Sequence, residues 1–178
     1  MPKLRTLTAL TATALSLVAA PAALAHTKPI GNSGGTPTMN ICPLSQDCTY
    51  VNFEHGKPTD VVKRNGTLVD WSVNAGSSGG QVQLRILRPA GHGTFKAVHS
   101  SALETVSAIG LNTFSAHIKV KRGDVLAMSN DSSGIYMATA PSGQCVRDFS
   151  STLSNGTTGR PDQVTTQLHL LLSADVHV

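Results

Sequence analysis

Residues 112–128 constrain the fold more than any other stretch of this chain. In the run NTFSAHIKV, Phe114, Ala116, Ile118 and Val120 alternate with Ser115, His117 and Lys119, which is the period of a strand with one dry and one wet face. Lys121-Arg122-Gly123-Asp124 follows, and Val125 to Met128 opens a second apolar run. Glycine admits positive φ in a turn and aspartate forms a local side-chain bond, so the stretch reads as a β-hairpin with KRGD at its tip. The same turn chemistry accounts for Arg122-Gly123-Asp124 without any role as an adhesion tripeptide.

Strand character recurs along the chain. Val69, Trp71 and Val73 share one face after an Asn65-Gly66 tight turn, a pair favoured between twisted strands. Trp71, mid-strand, reads as a core plug rather than an exposed platform. Val82, Leu84 and Ile86 point inward, with Arg85 and Arg88 outward or ending the strand before Pro89. Residues 95–99, 103–109 and 134–140 are shorter candidates, and Ser101 with Glu104 leaves one helical turn open at 101–106. Val164, Leu168, Leu170, Leu172, Ala174 and Val176 are in phase and place the C-terminal segment in one central strand. Eight to nine short strands separated by Gly and Pro turns predict an all-β, single-domain antiparallel β-sandwich or jelly roll, with a closed barrel as the alternative.

The N-terminal segment has a different character. Lys3 and Arg5 precede a run of apolar and small residues that ends in Ala23-Leu24-Ala25, the pattern of an export signal with a small-x-small cleavage site. The expected organisation is a signal peptide over 1–25, a flexible Gly-, Pro- and Thr-rich arm over 26–46, and a β-sandwich domain over 47–178. The mature chain then begins at His26, is secreted or extracellular, and has no membrane span. Loss of Lys3 and Arg5 takes the formal charge from +4 to +2. The remaining basic residues form no stripe and no aromatics interleave them, which argues against nucleic acid as a partner. Residues 150–162 form a long polar loop, of the kind that is mobile or functional.

Three cysteines in an oxidising compartment imply one disulfide plus either a free thiol or a link to another chain. Cys48 and Cys145 both lie beside strand candidates, so they are the expected pair, with Cys42 left in the arm. The spacing of Cys42 and Cys48 lacks the Cys-x-x-Cys pairs of a zinc site.

Motifs for catalysis are weak. Gly76-Ser77-Ser78-Gly79-Gly80 matches the G-x-S-x-G elbow, but that elbow needs a helix after it, and a strand candidate follows here. Glu54 and Glu104 are the only glutamates, and the aspartates fall mainly at turns or strand ends, where they are expected anyway. No catalytic residue is assigned. His26 is the sharper case, because a mature N-terminal histidine offers amine and imidazole to one metal, and imidazole suits copper. This resembles copper-binding β-sandwich proteins and copper polysaccharide monooxygenases, whose mature chains also start with histidine after Ala-x-Ala. The resemblance implies His26 as a copper ligand, with Asp175 and His177 as further ligands and His55, His92, His99, His117 and His169 as other candidates.

Several segments together resemble a group of secreted bacterial β-sandwich proteins of unknown function. They are Val69-Asp-Trp71-Ser-Val73, Leu84-Arg-Ile-Leu-Arg-Pro89, Leu111-Asn-Thr-Phe114, Val120-Lys-Arg-Gly-Asp124-Val-Leu and Leu170-Leu-Leu-Ser-Ala-Asp-Val176. His177 departs from the acidic ending of such chains. The resemblance implies a fold and no catalytic residues. The functional expectation is a non-enzymatic binding or structural domain without a cofactor, its partner an unknown extracellular carbohydrate or protein. The alternative is a copper-binding protein or copper oxidase using His26. With one Trp, two Tyr and four Phe, few rings are free to build a sugar-stacking face.

Overall fold

The computed structural model describes residues 27–42, 47–131, 134–149 and 151–178, and every regular element among them is a strand. Residues 1–25, the expected signal peptide, and His26 lie outside the described residues. One antiparallel sheet runs in the order β1 (Thr27–Asn32), β15 (Leu172–His177), β4 (Gly66–Ala75), β8 (Gly110–Val120). A second, nine-stranded sheet runs β12 (Thr158–Gly159), β6 (Thr94–Ser100), β5 (Gln81–Gly91), β9 (Val125–Asn130), β2 (Cys48–Glu54), β11 (Gln144–Phe149), β13 (Gln163–Thr166). Two short strands complete it, β3 (Lys57–Pro58) on β2 and β7 (Glu104–Thr105) on β5. β10 (Met137–Thr139) and β14 (Leu168–Leu170) pair with each other. The expected all-β antiparallel sandwich is what forms, with a large sheet that curls like half a barrel. The fifteen strands among the described residues exceed the expected eight or nine because several are only two or three residues long.

The main core lies between the sheets. Leu68, Trp71, Val73, Ile118, Val120, Leu172, Ala174 and Val176 meet Tyr50, Val82, Leu84, Ile86, Leu126, Met128 and Val146. Trp71 is buried there against Phe114, with ring centroids 4.8 Å apart. The other face of the nine-stranded sheet carries a second apolar cluster of Val51, Phe53, Leu87, Phe95, Ala97, Val125, Ala127, Cys145, Phe149 and Leu153. β9 is therefore buried on both faces, as its unbroken apolar run reflects.

The expected hairpin at 112–128 does not form. β8 pairs only with β4, while β9 pairs with β5 and β2, so the KRGD step crosses from one sheet to the other. Ile118 and Val120 face Leu126 and Met128 across the core rather than lying beside them, a geometry with the same period as a hairpin. Gly123 has φ 91°, which a corner needs as much as a hairpin tip does. Val69 is also out of its expected phase. A bulge against β15 makes it the extra residue, so Leu68 takes the buried position beside Trp71. The C-terminal strand is three strands, β13, β14 and β15, broken near Gln167, which has φ 58°, and at Leu171. Val164 is exposed as a result, while Leu168 to Val176 keep the expected inward phase.

Of the expected flexible arm over 26–46, the described residues 27–42 are docked on the sandwich. Thr27–Asn32 pairs with β15 along its whole length, and Met39 bridges Met137. Asn74 Nδ2 donates to Gly35 O at 2.8 Å. Its few apolar residues supply the anchor: Ile30 and Ile41 pack on the core and Cys42 is inside it. Gly31 permits this, since a Cβ there would strike the Leu172 carbonyl oxygen and its φ is 77°.

The disulfide joins Cys42 to Cys48, not Cys48 to Cys145. Cys48 alternates with Thr49 on β2 and faces the main core, whereas Cys145 on β11 faces the second cluster, so the sheet itself separates them. Cys145 is a buried free thiol.

Candidate functional site

The outer face of the large sheet carries, beyond its apolar cluster, a row of polar side chains. Gln83 on β5 is opposite Ser129 on β9, and Ser129 is opposite Thr49 on β2. Arg85 lies one step along β5 on the same face. Residues 151–159 fold over this row: Leu153 N donates to Thr49 Oγ1 at 3.2 Å, Gly156 N to Ala97 O at 2.7 Å, and β12 pairs with β6. Between the row and that cover is a cleft of about 240 Å³, lined by Asp47, Gln81, Gln83, Arg85, Leu103, Ser129, Asn130, Asp131 and Thr152. Its size falls just below the roughly 300–1,000 Å³ typical of drug-sized sites.

Arg85 is 7% exposed. Its Nε donates to Ser129 Oγ at 3.0 Å. Its terminal nitrogens have no acceptor and no carboxylate partner among the described residues. Burial holds its pKa below the usual guanidinium value, the mark of a charge that has lost water without gaining an anion. The neighbouring hydroxyls fix the proton order. Thr49 Oγ1 is fully buried, accepts from Leu153 N and lies 2.8 Å from Ser129 Oγ, the one acceptor it reaches among the described residues. Thr49 therefore donates to Ser129, because a buried hydroxyl proton left unpaired is costly. Ser129 also accepts from Arg85, which leaves its own proton to donate into the cleft.

Two acids also line the cleft. Asp131 Oδ2 accepts from Gln81 N at 3.1 Å, and Asp47 is exposed at the mouth. Gln83 Nε2 donates to Ser101 O at 2.7 Å, which fixes the amide plane along one wall. The site thus presents convergent donors around Arg85, planar amides, two carboxylates toward its margin and one apolar lip, Leu103.

The residues singled out from sequence stand elsewhere. Asp175 and His177 lie on the outer face of β15, away from core-facing Ala174 and Val176, and Thr27 is the register partner of His177. Pro29 and Asp70 flank Asp175 on either side. No group of three His, Cys, Asp or Glu side chains placed to hold a metal occurs among the described residues. His169 Nε2 is 3.2 Å from Asn32 O. Ser78 sits between two strands, with no helix after it. Asp124 of the RGD tripeptide is buried and held by Arg88. Arg85 was the missed residue: its strand position reads as outward and wet, and only a cover from residues about seventy positions later makes it buried. No protein-family model, curated protein or solved structure matches the chain.

Proposed function

We propose that this is a non-enzymatic, secreted binding domain that holds an acidic saccharide residue in the Arg85 cleft. The observation that carries the reading is Arg85, a residue 7% exposed that lines the cleft and whose terminal nitrogens have no hydrogen-bond partner among the described residues. An arginine presents a planar fork of donors that matches a carboxylate bidentately. Here part of the desolvation penalty of the cation is already met in the free protein, so an arriving carboxylate gains a counter-charge in a site partly shielded from water. The Ser129 hydroxyl adds a donor beside it, and Gln81, Gln83 and Thr152 offer hydrogen bonds to ring hydroxyls. The planar side chains take over the recognition that a ring-poor surface does not provide.

Calorimetric titration with glucuronate and galacturonate oligomers, beside their neutral hexose counterparts, tests this. The uronates should bind, the neutral sugars should bind at least tenfold more weakly, and Arg85→Met should abolish the difference, since a charge-assisted pair contributes about 1.5–3 kcal/mol. Arg85→Met should also melt higher than the parent, because it removes an uncompensated buried charge. Equal binding of neutral and acidic sugars, or no binding of either, overturns the reading.

A second reading, copper held by the amine and imidazole of His26, is favoured by one register: Thr27, the residue after His26, pairs directly with His177. Copper titration of the processed protein beside a variant with one extra residue before His26 decides it. Submicromolar binding by the first alone establishes the copper reading.

A further inference from the structure

The end of the sandwich opposite in character to the Arg85 cleft is basic and partly open. Lys28 and Ile30 of β1 pair with Val176 and Ala174 of β15. Directly paired residues share a face, so Lys28 and Ile30 stand on the core side of the sheet. From the facing side comes the loop before β4, with Lys63 and Arg64. Together with Pro29, Val176 and Val178 these residues line a cleft of about 290 Å³. Its floor is continuous with the main core, for Val176 is buried in that core and Ile30 packs against it. Val178, 41% exposed, extends the apolar wall to the surface.

Side-chain charge is one-sided here. Lys28, Lys63 and Arg64 have no carboxylate partner among the described residues. No acidic side chain lines the cleft. Asp175 lies on the opposite face of β15, and Asp124 is taken up by Arg88. The neighbouring corner adds Lys121 and Arg122, whose backbone N–H donates to Asn65 Oδ1 at 2.8 Å and so ties the two basic segments together. An inward lysine on an edge strand is a known guard against edge-to-edge pairing, which accounts for Lys28. It does not account for three cations converging on an apolar opening.

We infer that this cleft binds a medium- to long-chain alkyl carboxylate, with its chain against Ile30, Val176 and Val178 and its headgroup among Lys28, Lys63 and Arg64. A polyanion without an apolar part would leave the floor unused, and an uncharged alkyl chain would leave the cations unused. The cleft takes one chain, so monomeric amphiphile rather than a bilayer is the ligand, and the site is independent of the Arg85 cleft.

The test is titration with dodecanoate below its micellar range, beside dodecanol, acetate and vesicles containing an anionic phospholipid. Dodecanoate should bind with unit stoichiometry, dodecanol and acetate at least tenfold more weakly. Lys63→Glu/Arg64→Glu, at two exposed positions, should weaken dodecanoate at least tenfold while leaving the melting temperature and uronate binding unchanged. Val178→Glu should weaken it through the apolar wall. Unchanged dodecanoate binding in both variants, equal binding of dodecanol, or binding to vesicles alone overturns the proposal.

Discussion

Arg88 grips Asp124 with two parallel hydrogen bonds, Nε to Oδ1 at 2.7 Å and Nη2 to Oδ2 at 2.9 Å. Asp124 also accepts from Lys121 N at 2.8 Å. The carboxylate therefore closes the corner at which the chain leaves one sheet for the other, and it does so at 1% side-chain exposure. Arg88→Ala should destabilise by about 2 kcal/mol, below the cost of breaking a fully buried pair because the Arg88 end is part-exposed. Arg88→Lys should recover only part of this, since a point charge does not replace the fork. Urea unfolding monitored by Trp71 fluorescence measures both; a loss under 0.5 kcal/mol in Arg88→Ala would show that the corner holds without the pair.

Non-reducing peptide mapping should recover a Cys42–Cys48 crosslink and no Cys145 crosslink. Cys145 should react with a thiol reagent only once the protein unfolds, since it is buried in the second cluster. Reduction should cost roughly 2 kcal/mol, the chain-entropy value for so short a loop, so the reduced protein should stay folded with a lower melting temperature. Unfolding on reduction alone would mean that the crosslink, not the docked strand, holds residues 27–42.

Asp148 gives a pH dependence of definite sign. Burial, followed by the nearby charge of Asp162, raises its pKa above the ordinary 3.8. Its Oδ1 has no hydrogen-bond partner. A carboxyl with a raised folded-state pKa binds its proton more tightly when folded, so stability is greatest below the unfolded value and falls as pH rises through the folded one. Asp148→Asn should therefore flatten that decline and melt higher at pH 7, with the difference vanishing below about pH 3.8. Asp60, raised chiefly by burial, leaves a residual slope in the variant. Melting curves across pH 3 to 8 test this; an unchanged slope would assign the dependence to Asp60 alone.

Strand period was legible because alternation is local. It placed the strands around Trp71, Leu84 and Leu170 and the fold class. It did not tell a hairpin from a corner, because Val120 and Leu126 face inward in either arrangement, and the choice is made by distant partners, β4 for one strand and β5 and β2 for the other. The disulfide was misread for a related reason: proximity to a strand does not report which face of a sheet a cysteine occupies. Arg85 was hidden because the second, outward-facing cluster and its cover are assembled from β2, β6, β11 and the 151–159 segment. The docking of residues 27–42 left little trace in the sequence because, among the described residues, the apolar side chains that anchor it are Ile30, Ile41 and Cys42, too few for a periodic signal.

The pairing of β1 with β15 joins the first described strand to the last. During synthesis, Thr27–Asn32 emerges with no edge to add to, and none exists until residues 172–177 have followed. The four-stranded sheet is then closed by its longest-range contact, the kind that makes folding slow and keeps strand edges exposed meanwhile. Completion of this sheet is a timer set by the separation of β1 from β15: a nascent or truncated chain without residues 172–177 keeps one raw edge on β4 and an unplaced β1, ready to be held by a chaperone or to pair with another copy.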